Sequence, residues 1–288
     1  MSRKLIFLDI DGTLIAFKAQ PSALVAAAVR GARAEGHGVF LCTGRNMPII
    51  SRELLDLGFD GVIASAGSHI EVGGQVLLDC QLPEELVQEC LDVFHRNGVY
   101  CRIETWEGVY TDPQMEELVR SAIPAPGNFE LVRMQREMTS ALGMRPYGEY
   151  PRQGAYKLCF TSVKPGAVER AQEVLGDRFD FVVHPFGKLG SFRNGEIIRK
   201  DADKGSGVEL VCRHLGVDLS DTVAFGDSMN DYAMLRRAGT SVAMGNACQE
   251  LKEICDVVCE DVKHDGVYHE LVRMGLCKPV QKAVRSGA

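Results

Sequence analysis

The chain has 288 residues, 45% of them hydrophobic and 25% charged, a composition that supports a buried core and excludes a disordered or fibrous protein. Its formal net charge of −7 comes without a basic stripe or lysine-rich arm, which argues against nucleic-acid partners and means that any phosphate site needs locally placed cations. No stretch approaches the roughly 20 apolar residues a membrane helix needs, and no signal-peptide pattern opens the sequence, so a cytoplasmic protein without a membrane partner is expected.

Leu5 to Leu8 is a short apolar run that reads as a buried parallel strand. Asp9-Ile10-Asp11-Gly12-Thr13 follows, so Asp9 and Asp11 point the same way, Ile10 faces the core and Gly12 permits a tight turn. Pro21 to Glu35 predicts a helix that starts with a proline and stops at Gly36. Val39 to Cys42 is a second strand, ended by Thr43-Gly44-Arg45.

The texture then changes. Pro83 to Asn97 is an amphipathic helix with Leu86, Val87, Cys90, Leu91 and Phe94 on one stripe, and Val99 to Glu104 reads as a strand after it. Pro124-Ala125-Pro126-Gly127 is a loop, and a second pass gives a strand at Tyr156 to Phe160, a helix at Pro165 to Leu175 and a strand at Phe179 to His184. Lys204 to Leu215 is a helix with Val208, Val211 and Leu215 on one face, Thr222 to Phe225 is a strand ended by Gly226-Asp227, and Lys278 to Ala288 reads as a frayed tail. The expected fold is α/β: a doubly wound, Rossmann-like parallel sheet from residues 1–80 and 189–288, with an inserted α/β cap domain at residues 81–188.

Ten cysteines, among them Cys42, Cys90, Cys159 and Cys212, are scattered through these elements and read as buried thiols. Cys255, Cys259 and His264 make a weak zinc pattern that lacks a second cysteine pair.

Ligands of open α/β sheets bind beyond the carboxyl ends of the strands, where this sequence places Asp9, Asp11, Thr43, Gly226 and Asp227. Acids, a hydroxyl and glycines are what a metal-phosphate site uses. Slow phosphate-ester chemistry needs a nucleophile, a proton donor and positive charge; one carboxylate can attack while the other handles protons. Lys204, at a helix start, adds its charge to the partial positive charge of the helix terminus.

These residues resemble, in order, the four motifs of the haloacid-dehalogenase superfamily: Asp9-Ile10-Asp11-Gly12-Thr13, Thr43-Gly44-Arg45, Lys204 with Gly205, and Gly226-Asp227-Ser228-Met229-Asn230-Asp231. The large insertion and Met244-Gly245-Asn246-Ala247 resemble the Cof-type members of subclass IIB, mostly metabolite phosphatases, along essentially the whole chain. The resemblance implies a magnesium-dependent phosphatase for small phosphorylated metabolites, and an inserted domain of about a hundred residues, which should exclude bulky substrates, favours sugar phosphates. It implies Asp9 as nucleophile, Asp11 as acid and base, and Thr43 and Lys204 as phosphoryl ligands. The implied metal residues are Asp9, Asp11 through its backbone carbonyl, Asp227 and Asp231, the last of these also holding the arrangement together with Asn230. Gly44, Arg45, Asn230 and Asn246 are the implied substrate contacts. One departure is that Ser65-Ala66-Gly67-Ser68 stands where Cof-type chains often have Asn-Gly-Ala, which puts a substrate contact from that loop in doubt.

Taken singly, Asp9 and Asp11 fit a turn, Thr43 a cap and Lys204 a solvated side chain; Arg45 could clamp an anion or pair with an acid, and Asn246 could be a turn residue. A sugar-phosphate-binding regulator without turnover and a phosphohexomutase are the competing readings. Oligomeric state is open.

Overall fold

A computed structural model of the chain describes residues 3–16, 20–123, 129–137, 144–183 and 192–280. The loop expected at Pro124 to Gly127, the end of the strand expected to reach His184, the 188/189 boundary and the tail from 281 onward lie outside the described residues.

The first sheet has eight strands in the order 257–258, 240–243, 222–226, 5–8, 38–42, 61–64, 69–72, 75–79. The first six run parallel, and the last two form an antiparallel hairpin on one edge. Period-two alternation fills both faces: Ile6, Leu8, Val39 and Leu41 pack with Val25, Val29, Val267 and Leu271, while Leu5, Phe7, Phe40 and Cys42 pack with Val208, Val211, Met234 and Leu235. Covered on both sides, the strands can be apolar throughout, and Leu5–Leu8 is fully buried. This is the doubly wound α/β arrangement expected. Helices form at Ala23–Ala34, capped by the Ser22 side chain, and at Lys204–Leu215, capped by Asp203 at one end and by left-handed Gly216 at the other.

A second, mostly antiparallel sheet has the order 179–183, 193–199, 157–162, 100–104, 109–111, 145–146. Cys101, Ile103, Leu158, Phe160 and Ile197 face the helices Glu84–Asn97 and Ala167–Leu175 and share a core with Val87, Leu91, Phe94 and Ala171. The opposite face carries Arg102, Glu104, Lys157, Cys159 and Glu196, all buried. Helices Pro113–Ser121 and Phe129–Glu137 cover Cys159 there. The strand Arg193–Arg199 pairs with 157–162 and 179–183 in this second sheet, so we propose that the inserted unit ends after Arg199 rather than at 188. Among the described residues no helix is long and apolar enough to cross a membrane. Cys42, Cys90, Cys159 and Cys212 are buried, as expected.

Candidate active site

Neighbouring parallel strands bring their carboxyl ends together, and the sheet order alone sets the loops after 222–226, 5–8 and 38–42 side by side. Those loops carry Asp227 to Asp231, Asp9 to Thr13 and Thr43 to Asn46. Asp9, Asp227 and Asp231 are buried and can each present a carboxylate oxygen within 4.8 Å of the others. Gly226 allows the approach, because a Cβ there would stand 2.5 Å from Asp231 Cβ. Gly12 makes the turn beyond Asp11 with φ +91°, a conformation glycine adopts without strain.

Lys204 enters from the opposite face at the first turn of its helix. Its Nζ donates to Asp9 Oδ1 at 2.7 Å, to Asp231 Oδ1 at 2.6 Å and to Asn230 Oδ1 at 3.3 Å. Complete burial opposes its charge, yet Asp231 and Asp9 hold its pKa well above the usual lysine range. Burial, reinforced by Asp231 and Asp11 against the pull of Lys204, pushes the Asp9 carboxyl up to about 8. Asp227 is likewise raised well above the carboxylate range, first by burial and then by Asp231 and Asp9. One cation faces three crowded acids.

Two oxygens tell the acids apart. Asp231 Oδ1 accepts from Lys204 and its Oδ2 accepts from the backbone N–H groups of Asp227 at 3.0 Å and Ser228 at 3.1 Å. Asp227 Oδ1 is buried and has no hydrogen-bond partner among the described residues. An orphaned carboxylate oxygen beside two further acids, in an all-oxygen donor set, fits a hard divalent cation such as Mg2+.

The remaining expected residues fall around this cluster in different ways. The Asp11 carboxylate is not in it: Arg45 holds it through Nε and Nη2, both at 2.7 Å. Of the two uses expected of Arg45, the structure contains the pairing with an acid. Thr43 is buried, its Oγ1 accepting from Arg45 N at 3.1 Å. Asn246 donates to Gly12 O at 2.8 Å and Asp227 Oδ2 at 3.3 Å and accepts from Val262 N at 2.9 Å, so its amide ties three loops together. In the Ser65 to Ser68 loop the backbone makes the contacts, Ser65 N to Arg45 O at 2.7 Å and Ala66 N to Thr43 O at 3.0 Å.

Sequence reasoning missed the residues that reach in from the second sheet. Lys157 Nζ donates to Gly44 O at 3.2 Å and pairs with Glu196, whose Oε1 accepts from Asn230 Nδ2 at 2.9 Å. Asn46 donates to Thr105 O at 2.8 Å. The available signal was charge inside otherwise apolar strands, Lys157 before Leu158-Cys159-Phe160 and Glu196 before Ile197-Ile198, which is costly unless the charges meet partners. Thr13 was also missed; its Oγ1 is buried without a partner among the described residues.

A family model for haloacid dehalogenase-like hydrolases matches residues 6–271. YkrA of Bacillus subtilis (strain 168), provisionally named a phosphatase, is 28% identical over 96% of this chain and 100% of its own length. An HMP-PP phosphatase of Yersinia pestis (strain Pestoides F) is 26% identical over 87% of this chain and 86% of its own. The solved structure of the subclass IIB sugar phosphatase BT4131 superposes with a TM-score of 0.74 at 25% identity, covering 95% of this chain and 99% of that one.

Proposed function

The chain belongs to the haloacid dehalogenase-like hydrolases, as a Cof-type phosphatase, and we propose that it hydrolyses phosphate monoesters of small metabolites, sugar phosphates foremost, through a phosphorylated Asp9. The observation that carries this reading is the buried set of Asp9, Asp227 and Asp231 with Lys204 bonded to both Asp9 and Asp231. A pure binding protein has no use for a nucleophile and a second proton-transferring acid set two residues apart.

In the proposed reaction Asp9 attacks phosphorus, an O–P bond forms on its carboxylate, and the bond to the leaving oxygen breaks. Asp11 gives that oxygen its proton. Water then attacks phosphorus, Asp11 takes the proton back, Asp9 is regenerated and inorganic phosphate leaves. In the present arrangement Asp11 is turned to Arg45, so proton transfer requires that pair to part. Lys204 and the Thr43 hydroxyl bind phosphoryl oxygens, and Asp231 and Asn230 keep Lys204 in place. Asp9, the Asp11 backbone carbonyl and Asp227 would hold Mg2+, which when bound supplies positive charge for the phosphoryl oxygens. Asp231, with both oxygens already accepting bonds, acts as support to this set rather than as a ligand.

Activity should vanish in excess chelator and return with Mg2+, whereas Ca2+ should inhibit, since its larger and looser oxygen shell disturbs an in-line geometry that an octahedral ion enforces. Steady-state phosphate release with each ion checks this, and full activity without any divalent ion contradicts it.

The second sheet sits directly over the cluster through Lys157, Glu196 and Thr105, leaving little room above Gly44, where a Cβ would meet Lys157 Nζ at 3.3 Å. Small substrates should therefore be preferred. A hexose or pentose phosphate should be turned over faster than a nucleotide, and a folded phosphoprotein should be refused. Equal rates for the phosphoprotein and the best sugar phosphate would remove the steric argument.

A further inference from the structure

His69 opens the first antiparallel strand of the edge hairpin, directly after the Ser65 to Ser68 loop that leans on Thr43 and Arg45. It is 3% exposed. Its Nδ1 lies 3.1 Å from Asp79 Oδ1, and the same carboxylate oxygen accepts from Tyr156 Oη at 2.5 Å. A carboxylate only accepts, so Nδ1 carries a proton, and in the neutral ring Nε2 is left with a free lone pair. That atom is buried and has no partner among the described residues. Such a group carries a desolvation cost and calls for an explanation.

The rings around it come from the other sheet. Trp106 lies 5.3 Å from His69, centroid to centroid and tilted by 50°, and Tyr156 lies 6.2 Å away, edge on. Trp106 is 45% exposed, and it follows Thr105, whose carbonyl is held by Asn46. Tyr156 precedes Lys157, whose ammonium touches Gly44. Trp106 and Tyr156 thus each adjoin a residue in contact with the Thr43 to Asn46 loop, and His69 follows the Ser65 to Ser68 segment whose Ser65 and Ala66 touch it. Trp106 and His69 stand on opposite sides of the junction between the sheets, so opening that junction separates them.

We propose that Trp106 and His69 form the leaving-group subsite, which takes the ring of a sugar phosphate between them. The apolar C–H face of the sugar stacks on Trp106, and a ring hydroxyl donates to His69 Nε2. A sugar always offers a donor beside the stacking face, which is what a fixed acceptor next to an aromatic plane demands. The Asp79 and Tyr156 bonds hold the imidazole in the required tautomer. This inference rests on the phosphatase reading for the position of the phosphate, and it is tested separately from it.

Trp106 is the only tryptophan in the chain, so intrinsic emission reports this position alone. Glucose 6-phosphate added to the full chain with Mg2+ should change the emission saturably, and inorganic phosphate at the same concentration should not. His69→Phe keeps the ring contact and removes the acceptor; it should weaken the sugar phosphate's apparent Kd about tenfold, the value of one hydrogen bond near 1.4 kcal/mol, and leave inhibition by inorganic phosphate unchanged. Trp106→Leu, at a half-exposed position that tolerates change, should raise KM for glucose 6-phosphate by about the same factor and leave hydrolysis of acetyl phosphate, which has no ring, within about twofold. No emission change with glucose 6-phosphate, ribose 5-phosphate or mannose 6-phosphate overturns the subsite, as does an equal loss with acetyl phosphate. Emission change without phosphate release from any substrate upholds the subsite and overturns the phosphatase reading instead.

Discussion

Asp9→Asn and Asp11→Asn should both abolish turnover of a sugar phosphate, and they should fail in different ways. The amide at position 9 cannot form an acyl phosphate, so no phosphorylated protein accumulates with any substrate. The amide at position 11 keeps the attacking carboxylate and the main-chain carbonyl, but loses the group that protonates the leaving oxygen and later activates water. With a sugar phosphate it should lose at least the ~10²–10⁴-fold that general acid–base catalysis contributes. An aryl phosphate has a leaving group that needs no proton, so Asp11→Asn should be phosphorylated by it and then stall. Mass spectrometry of the quenched protein should find the phosphate on the peptide containing Asp9. A phosphate elsewhere, or full activity of either variant, reverses the roles given to these two acids.

Lys204→Met tests the centre of the cluster through stability as well as rate. Removing one partner of a buried ionic set leaves Asp9 and Asp231 without their cation, a change that costs about 3–5 kcal/mol in comparable buried pairs. Loss of the donor proposed for the phosphoryl oxygens should lower kcat by a further ~10²–10³-fold in the protein that remains folded. The pH dependence has a definite sign. Asp9 is already pushed up from 3.8 to about 8, by burial first, and a group that binds its proton more tightly when folded supports the fold at low pH and loses that support as pH rises. With Lys204 gone the shift grows, so the variant should be closest to the wild type in thermal stability near pH 4 and furthest from it at about pH 8 and above. Adding Asp231→Asn to Lys204→Met should recover part of the stability, because one unpaired charge disappears, and none of the activity. Chemical and thermal unfolding in chelator across pH, beside single-turnover rates with Mg2+, distinguish the two effects. A Lys204→Met protein as stable as the wild type at pH 8 would contradict the buried three-residue network.

Asp9 and Lys204 lie far apart in sequence and were nevertheless both singled out from it. Each marks the end of an element whose pattern is local: an apolar strand that stops at an acid, and a helix that starts at Lys204 and stops at Gly216. Local patterns of this kind gave the parallel sheet, both helix faces and the ordered acids. The Leu5–Leu8 strand and the Lys204–Leu215 helix were read to the residue, while Val99 to Glu104 begins one residue later, at Tyr100, since hydrophobic period marks an element's middle better than its ends.

What the sequence by itself determined is therefore the class of chemistry, because the proposed nucleophile, proton carrier and cation are specified by residue type at strand and helix ends. The tertiary structure alone decided how those groups are distributed. It turned the Asp11 carboxylate to Arg45, engaged the Asn246 amide among three loops, placed Arg193–Arg199 in the second sheet, brought Lys157 and Glu196 to Gly44 and Asn230, and set Trp106 against His69. The reason is the same in each case. A bidentate ion pair, a strand's choice of sheet and a contact between two sheets depend on residues tens to hundreds of positions apart. Such partners have no periodicity along the chain, and only the packed fold selects one of them over the others.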